Sequence, residues 1–265
     1  MCILQVLPEC GSEAEREASY KQVDESNRYI LRKYINYAVE NNVPLYSKIV
    51  RGESLSQGVL DVTRLDNNVQ LVIFKWPENP NDLAEFLSTI HEITAAGTVN
   101  IGVLYDKGIN RLEHILVPVG GGYHCRLAIH IGDDLVDEEH EQVDYLRIVS
   151  KGLEKSVYED QMAYLQEIVM TELEEIPGNV GLHITEADSV AEAIIEGAKN
   201  YGYDLVIIGS NEGDPADQSL FGELVEKVRL EVPCSTLIVR HHETRAASWL
   251  RKQLKSKAAE EGSVA

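Results

Sequence analysis

Short apolar runs alternate along the chain with stretches whose apolar positions recur at helical spacing. Cys2-Ile3-Leu4-Gln5-Val6-Leu7, bounded by Pro8 and Gly11, predicts an opening strand with no helix before it. From about Glu13 to Asn42, residues Tyr20, Val23, Tyr29, Ile30, Tyr34, Ile35 and Tyr37 to Val39 mark one long amphipathic helix, which Pro44 ends. Leu45 to Val50 reads as a strand, and Ser54 caps a helix over Leu55 to Asn67. Val69 to Trp76 is a strand stopped by Pro77 and Pro80, Asp82 opens a helix to about Thr94, and Val99 to Tyr105 is again a strand. Asp106 to Asn110 turns the chain out of it.

His114 to Val119 starts a second series. Gly120, Gly121 and Gly122 break that strand into a helix carrying Leu127 to Leu135. After an acidic loop from Asp133 to Glu141 come a strand at Val143 to Val149, a helix at Val157 to Glu175, and a strand at Gly181 to Thr185. A helix at Ser189 to Asn200, a strand at Asp204 to Gly209, a polar loop, a helix at Leu220 to Leu230 and a strand at Ser235 to Arg240 complete it.

The two series repeat each other. Leu71-Val72-Ile73-Phe74 stands to Leu205-Val206-Ile207-Ile208 as Asn100-Ile101-Gly102-Val103 stands to Cys234-Ser235-Thr236-Leu237, at an offset of 134 positions. The first series has no counterpart of His114 to Leu135. Nearly continuous apolar strands alternating with helices require parallel sheets covered on both faces. The expected fold is therefore α/β, two doubly wound domains in tandem. Residues 1–110 form one that lacks its first strand and helix, 111–241 form a complete one, and 242–265 form a basic amphipathic tail.

Composition narrows the function. With 44% hydrophobic residues in 265, the chain can fill two separate cores. A net charge of −20 excludes a nucleic-acid groove, which needs clustered Lys and Arg to displace counterions. Cys2, Cys10, Cys125 and Cys234 form no CxxC pair, and neither a secretory segment nor a run long enough to cross a bilayer is present, so a reduced cytoplasmic compartment is expected. From Glu243 to Lys257 the tail reverses the charge: Arg245, Arg251, Lys252, Lys255 and Lys257 stand against Glu243 alone, with Trp249 and Leu250 among them. Such a tail packs back on its acidic domain, docks onto a partner, or touches a membrane through Arg245, Trp249, Leu250, Arg251 and Lys252.

Ile115-Leu116-Val117-Pro118-Val119-Gly120-Gly121-Gly122, Asp204 to Ser210 with its Gly-Ser end, and Val232-Pro233-Cys234-Ser235-Thr236-Leu237-Ile238-Val239-Arg240 together resemble the universal stress protein (UspA) family. The resemblance covers nearly all of residues 113–241; over the first series it rests on order and hydrophobic pattern. It implies a site at the carboxyl ends of the strands, where ATP-binding members place an Asp against the nucleoside and a Gly-x2-Gly-x9-Gly-Ser/Thr loop against the phosphates. Carried onto this sequence, the site is Pro118, Gly120, Gly209, Ser210, Gly213, Gly222 and Glu223. The outer glycines keep their spacing, but the middle one is displaced by one position. Gly120 replaces the nucleoside-binding Asp, and Glu223 the phosphate-binding hydroxyl. Glu212, Asp214 and Asp217 crowd the loop with like charge. The corresponding stretch of the first series, Lys75 to Asp82, contains no glycine.

No nucleophile elbow or Cys–His signature marks a hydrolase, and the run from Asp133 to Glu141 lacks EF-hand spacing, so no enzyme and no metal site are expected. The tyrosines of the long first helix are read as packing. Two readings stay open. One is a non-enzymatic regulatory module without cofactor, similar to the cytoplasmic C-terminal regions of amino-acid and cation-chloride permeases, working at the inner face of the membrane on a protein partner or transporter membrane domain. The other is a soluble tandem stress protein holding AMP or ATP in its second domain. The family commonly forms homodimers through its last strand, so Ser235 to Arg240 is expected either to pair two chains or to pair with Val99 to Tyr105 inside one. A series that begins at its second strand also leaves a place in the sheet for something else to fill.

Overall fold

The computed structural model describes residues 1–8, 17, 21, 38–39, 43–66, 68–136, 141–210 and 221–242. The long first helix, Gly213 with most of the polar loop, and the basic tail thus lie outside the described residues. The chain divides into two compact units, Met1–Val69 with Ser88–Thr98, and Gln70–Leu87 with the residues from Val99 on.

In the first unit β1 (Cys2–Pro8) and β2 (Tyr46–Gly52) form a two-stranded parallel sheet. Helix α1 (Leu55–Leu65) starts where expected, its Ser54 hydroxyl accepting the Gln57 amide at 3.1 Å. Val59, Leu60 and Val62 of α1 are buried, as are Ile90 and Ile93 of α2 (Leu83–Ala96). The division between the units falls within α2.

The second unit holds seven strands in one sheet: β3 (Leu71–Lys75), β4 (Asn100–Tyr105), β5 (His114–Pro118), β6 (Gln142–Val149), β7 (Val180–Glu186), β8 (Leu205–Gly209) and β9 (Ser235–Arg240), in the order β3-β4-β9-β8-β5-β6-β7. All pairings are parallel except β4 with β9. Helices α3 (Tyr123–Asp134), α4 (Lys155–Leu173), α5 (Val190–Tyr201) and α6 (Glu223–Glu231) cover it. Side chains alternate across a strand. Ile115, Val117, Val143, Tyr145 and Ile207 share one core with Ile129 of α3 and Leu165 of α4. Leu116, Val206, Ile208 and Ile238, which point the other way, are equally buried. Both faces are therefore covered, as the apolar strands require.

Two details depart from the expectation. Strands β1 and β2 do not continue the sheet of β3 and β4. In the second series β5 pairs with both β8 and β6; among the described residues the first series has no such strand to join its own counterparts. The offset also changes along the repeat. Leu71 pairs with Asn100, and Leu205 with Ser235, so β3 matches β8 at 134 while β4 matches β9 at 135. With that correction Val103 and Ile238 become counterparts that pair with each other, and the antiparallel β4–β9 ladder has a local two-fold between them. The pairing of the two last strands inside one chain is thus realised. A smaller shift concerns α6, which begins at Glu223 rather than Leu220, because Phe221 is buried and Gly222 takes φ +89° at the cap.

Just past β4 the Asp106 carboxylate accepts the amides of Gly108 (2.8 Å) and Ile109 (3.2 Å) and the Ser235 hydroxyl, while the Lys107 amide donates to Ser235 Oγ at 2.8 Å. Those amides hold the Asp106 carboxyl below its ordinary range.

Ile238 is 1% exposed and Val103 fully buried, so Ile238→Ala should cost about 2–5 kcal/mol in urea unfolding. Because the folded pKa of Asp106 is depressed, its contribution is complete above about pH 5 and is lost as pH falls through the folded value. Thermal midpoints measured from pH 7 to pH 3 should therefore fall less steeply for Asp106→Asn than for the parent chain.

Candidate functional site

The expected site lies where β5 and β8 end side by side. Past Pro118 the chain keeps one more sheet bond, from the Val119 amide to the Leu146 carbonyl at 2.8 Å, and then turns through the three glycines into α3. Gly120 is exposed with open space around it. Gly121 has φ +95°, and the Tyr164 hydroxyl of α4 occupies the place where a side chain on it would stand. The guanidinium of Arg147, from β6, lies 4.6 Å from the centre of the Tyr164 ring. It also donates from Nε to Gln161 Oε1 (2.7 Å) and from Nη1 to the Val119 carbonyl (3.2 Å). An Arg–Tyr pair of the protein's own thus stands beside the end of β5.

Gly209 ends β8 against the first turn of α3, where a Cβ would come within 2.8 Å of the His124 and Cys125 backbone. Close helix–strand approach alone calls for glycine here. Cys125, in that turn, accepts the Gly121 amide on its sulfur at 3.3 Å, and burial pushes its thiol up. Ser210 donates its amide to the Val239 carbonyl at 2.8 Å; the residue is 3% exposed, and its hydroxyl has no partner among the described residues. Gly222 caps α6, and Glu223 opens its acidic first turn with Glu226, a placement the helix dipole favours.

The first series presents a different surface at the matching strand end. The Trp76 amide donates to the Leu104 carbonyl at 2.8 Å, as Ser210 does to Val239, so Trp76 stands in the place of Ser210. Its ring lies 5.5 Å from that of Phe86 and 6.0 Å from that of Tyr105, with the Arg229 guanidinium 4.1 Å from its centre. Arg229 is held in turn by Glu226. Lys107 donates to the Leu230 and Val232 carbonyls at the end of α6, and burial lowers its pKa.

Sequence reasoning missed both the Trp76–Arg229 and the Arg147–Tyr164 pairs; comparing Trp76 with Ser210 through the repeat was the one signal for the first. It also missed a polar knot near the amino ends of β6 and β7. Asp144 accepts from Tyr203 Oη (2.7 Å) and Gln142 Nε2 (2.7 Å) and lies 3.1 Å from His183 Nε2, crossing Gly181, whose missing side chain leaves the room. Burial raises the Tyr203 pKa. Among the described residues no three His, Cys, Asp or Glu side chains gather to hold a metal, and no helix is long and apolar enough to cross a membrane.

A sheet whose parallel strands turn from β8 to β5 in mid-sheet, with glycines at the carboxyl ends of both strands, defines a doubly wound α/β protein. Residues 111–240 match the universal stress protein family. The chain is similar in fold to a universal stress protein from Archaeoglobus fulgidus DSM 4304, with 11% identity and a TM-score of 0.58 over 91% of this chain and 87% of that one. A protein from Pseudomonas aeruginosa UCBPP-PA14 named for the same family gives 13% identity and a TM-score of 0.52 over 90% and 92%. The universal stress protein UspA from Lactobacillus plantarum is 19% identical over 49% of this chain and 99% of its own, with a TM-score of 0.39. No curated protein matches the chain.

The two neighbouring glycines separate turn geometry from composition. Gly121→Ala should lose about 1–3 kcal/mol in urea unfolding through its positive φ and the Tyr164 contact. Gly120→Ala should stay within about 0.5 kcal/mol of the parent.

Proposed function

We propose that the chain is a non-enzymatic regulatory and interaction module of universal stress type. In this reading it is the cytoplasmic regulatory part of, or a partner to, a membrane transporter of the amino-acid or cation-chloride permease kind. One observation carries the reading. Beside the strand ends where ATP-binding members of the family hold nucleotide stand paired side chains of this chain's own, Tyr164 with Arg147 after β5 and Trp76 with Arg229 after β3. The absent Asp at Gly120 and the carboxylate at Glu223 support it further, since a carboxylate repels a triphosphate where a hydroxyl would bond it. Pairing of β4 with β9 uses the family's dimerisation strand inside one chain, which favours a protomer that needs no second copy through that edge. The basic segment with Arg245, Trp249, Leu250, Arg251 and Lys252 is proposed as a contact with the membrane surface.

A second reading keeps AMP or ATP in the second domain, and the buried Ser210 hydroxyl without a partner among the described residues favours it. Calorimetric titration with ATP and Mg²⁺, and separately with AMP, decides between the two. The regulatory reading expects no binding up to millimolar nucleotide. Micromolar binding that Gly222→Val abolishes would establish the nucleotide-bound form instead.

A further inference from the structure

The two outer strands of the seven-stranded sheet carry opposite kinds of sequence. On β7, Val-Gly-Leu-His-Ile-Thr-Glu alternates apolar with small or polar residues, as a strand with one open edge does. On β3, Leu-Val-Ile-Phe is apolar throughout and resembles its counterpart Leu-Val-Ile-Ile of β8, whose four residues are all buried between β9 and β5. Among the described residues β3 pairs with β4 alone, and Ile73 is 55% exposed. A strand written for the middle of a sheet stands at its rim.

The backbone directions follow from two hydrogen bonds. The Trp76 amide and the Gln70 carbonyl both face β4. In a parallel ladder successive residues face opposite neighbours, so Val72 and Phe74 also face β4 while Leu71 and Ile73 turn their backbone groups to the outer edge.

We infer that the outer edge of β3 is a docking site for an apolar strand of another polypeptide, taken up parallel to β3 by strand addition. The second series shows what occupant the position accepts. Its β5 runs parallel to β8 in the matching place, with Ile115 to Pro118 buried. The partner is therefore an extended run of four or five consecutive apolar residues, without the polar alternation a half-exposed strand would carry. This rests on the interaction reading above and supplies its surface; the nucleotide titrations probe different strand ends, so either idea can fail without the other.

The test uses the full chain and a labelled synthetic peptide of residues 111–121, the protein's own β5 segment, followed by fluorescence anisotropy and amide hydrogen exchange. Saturable binding with slowed exchange at Leu71 and Ile73 is expected, and no binding of a scrambled peptide. Ile73→Pro removes an outward amide without touching the β4 ladder, and Ile73→Lys places a charge at the rim; each should weaken binding about tenfold or more, with the far-ultraviolet circular dichroism of the parent. Ile73→Thr, which keeps the amide and a β-branched side chain, should retain binding. Absence of saturable binding, equal binding by the Pro and Lys variants, or protection appearing on β7 instead would overturn the assignment. So would a concentration-dependent dimer that protects β3 without peptide, because the occupant would then be a second copy.

Discussion

The antiparallel ladder between β4 and β9 is the interaction on which the second unit's architecture depends. It sets five strands of the complete series and two of the incomplete one into a single sheet, and its centre, Val103 beside Ile238, is buried. Parallel strands of one series cannot reverse direction among themselves without a crossover. Two series related by a local two-fold can meet only through equivalent edges running in opposite directions. Once β9 is paired, β4 is satisfied on both sides, and β3 is carried to the outside. The exposure of Ile73 is thus a consequence of how the copies join.

Glycines at strand ends do two jobs in this fold class, and the structure separates them. Gly209 is required because α3 crosses the end of β8 with less than 3 Å to spare for a Cβ. Gly121 is required by its positive φ and by the Tyr164 hydroxyl above it. Neither requirement refers to a ligand. A chain that ceased to bind phosphate would still have to keep both residues, so the glycine pattern outlasts the chemistry with which it is associated. On the proposed reading, what changes is the residue beside the glycine: Gly120 in place of an acid, Glu223 in place of a hydroxyl, and in the first series Trp76 in place of Ser210.

Most of the elements were legible because each is reported by local chemistry. Ser54 and Ser189 sit at their caps with hydroxyls on the Gln57 and Glu192 amides, and the apolar strands are bounded by Pro, Gly and Asp. The one-residue change of offset was not legible, since Asn100-Ile101-Gly102-Val103 has no side-chain pattern that prefers one alignment with β9 over the next; only the ladder register sets it. The paired side chains beside the strand ends were hidden for a related reason. Arg147 meets Tyr164 across a strand–helix contact, and Trp76 meets Arg229 across more than half the chain. Periodicity reports which face a residue turns inward, but not which residue from another element it finds there.

Edge composition is one place where sequence speaks about surroundings directly. A strand with one neighbour is exposed along its rim, and runs that alternate polar and apolar residues or carry charge resist unwanted pairing there. The β7 strand follows that rule, with His183 tied to Asp144 and Glu186 accepting the Gly152 amide. The β3 strand breaks it over Leu71 to Phe74 while matching a buried strand of its own chain residue for residue in character. Hydrophobic demand from the core explains one face of such a strand, since Phe74 packs on Phe86. It does not explain Ile73, which the same strand turns to solvent. The composition of β3 therefore fits a strand with neighbours on both sides, as β8 has in β9 and β5.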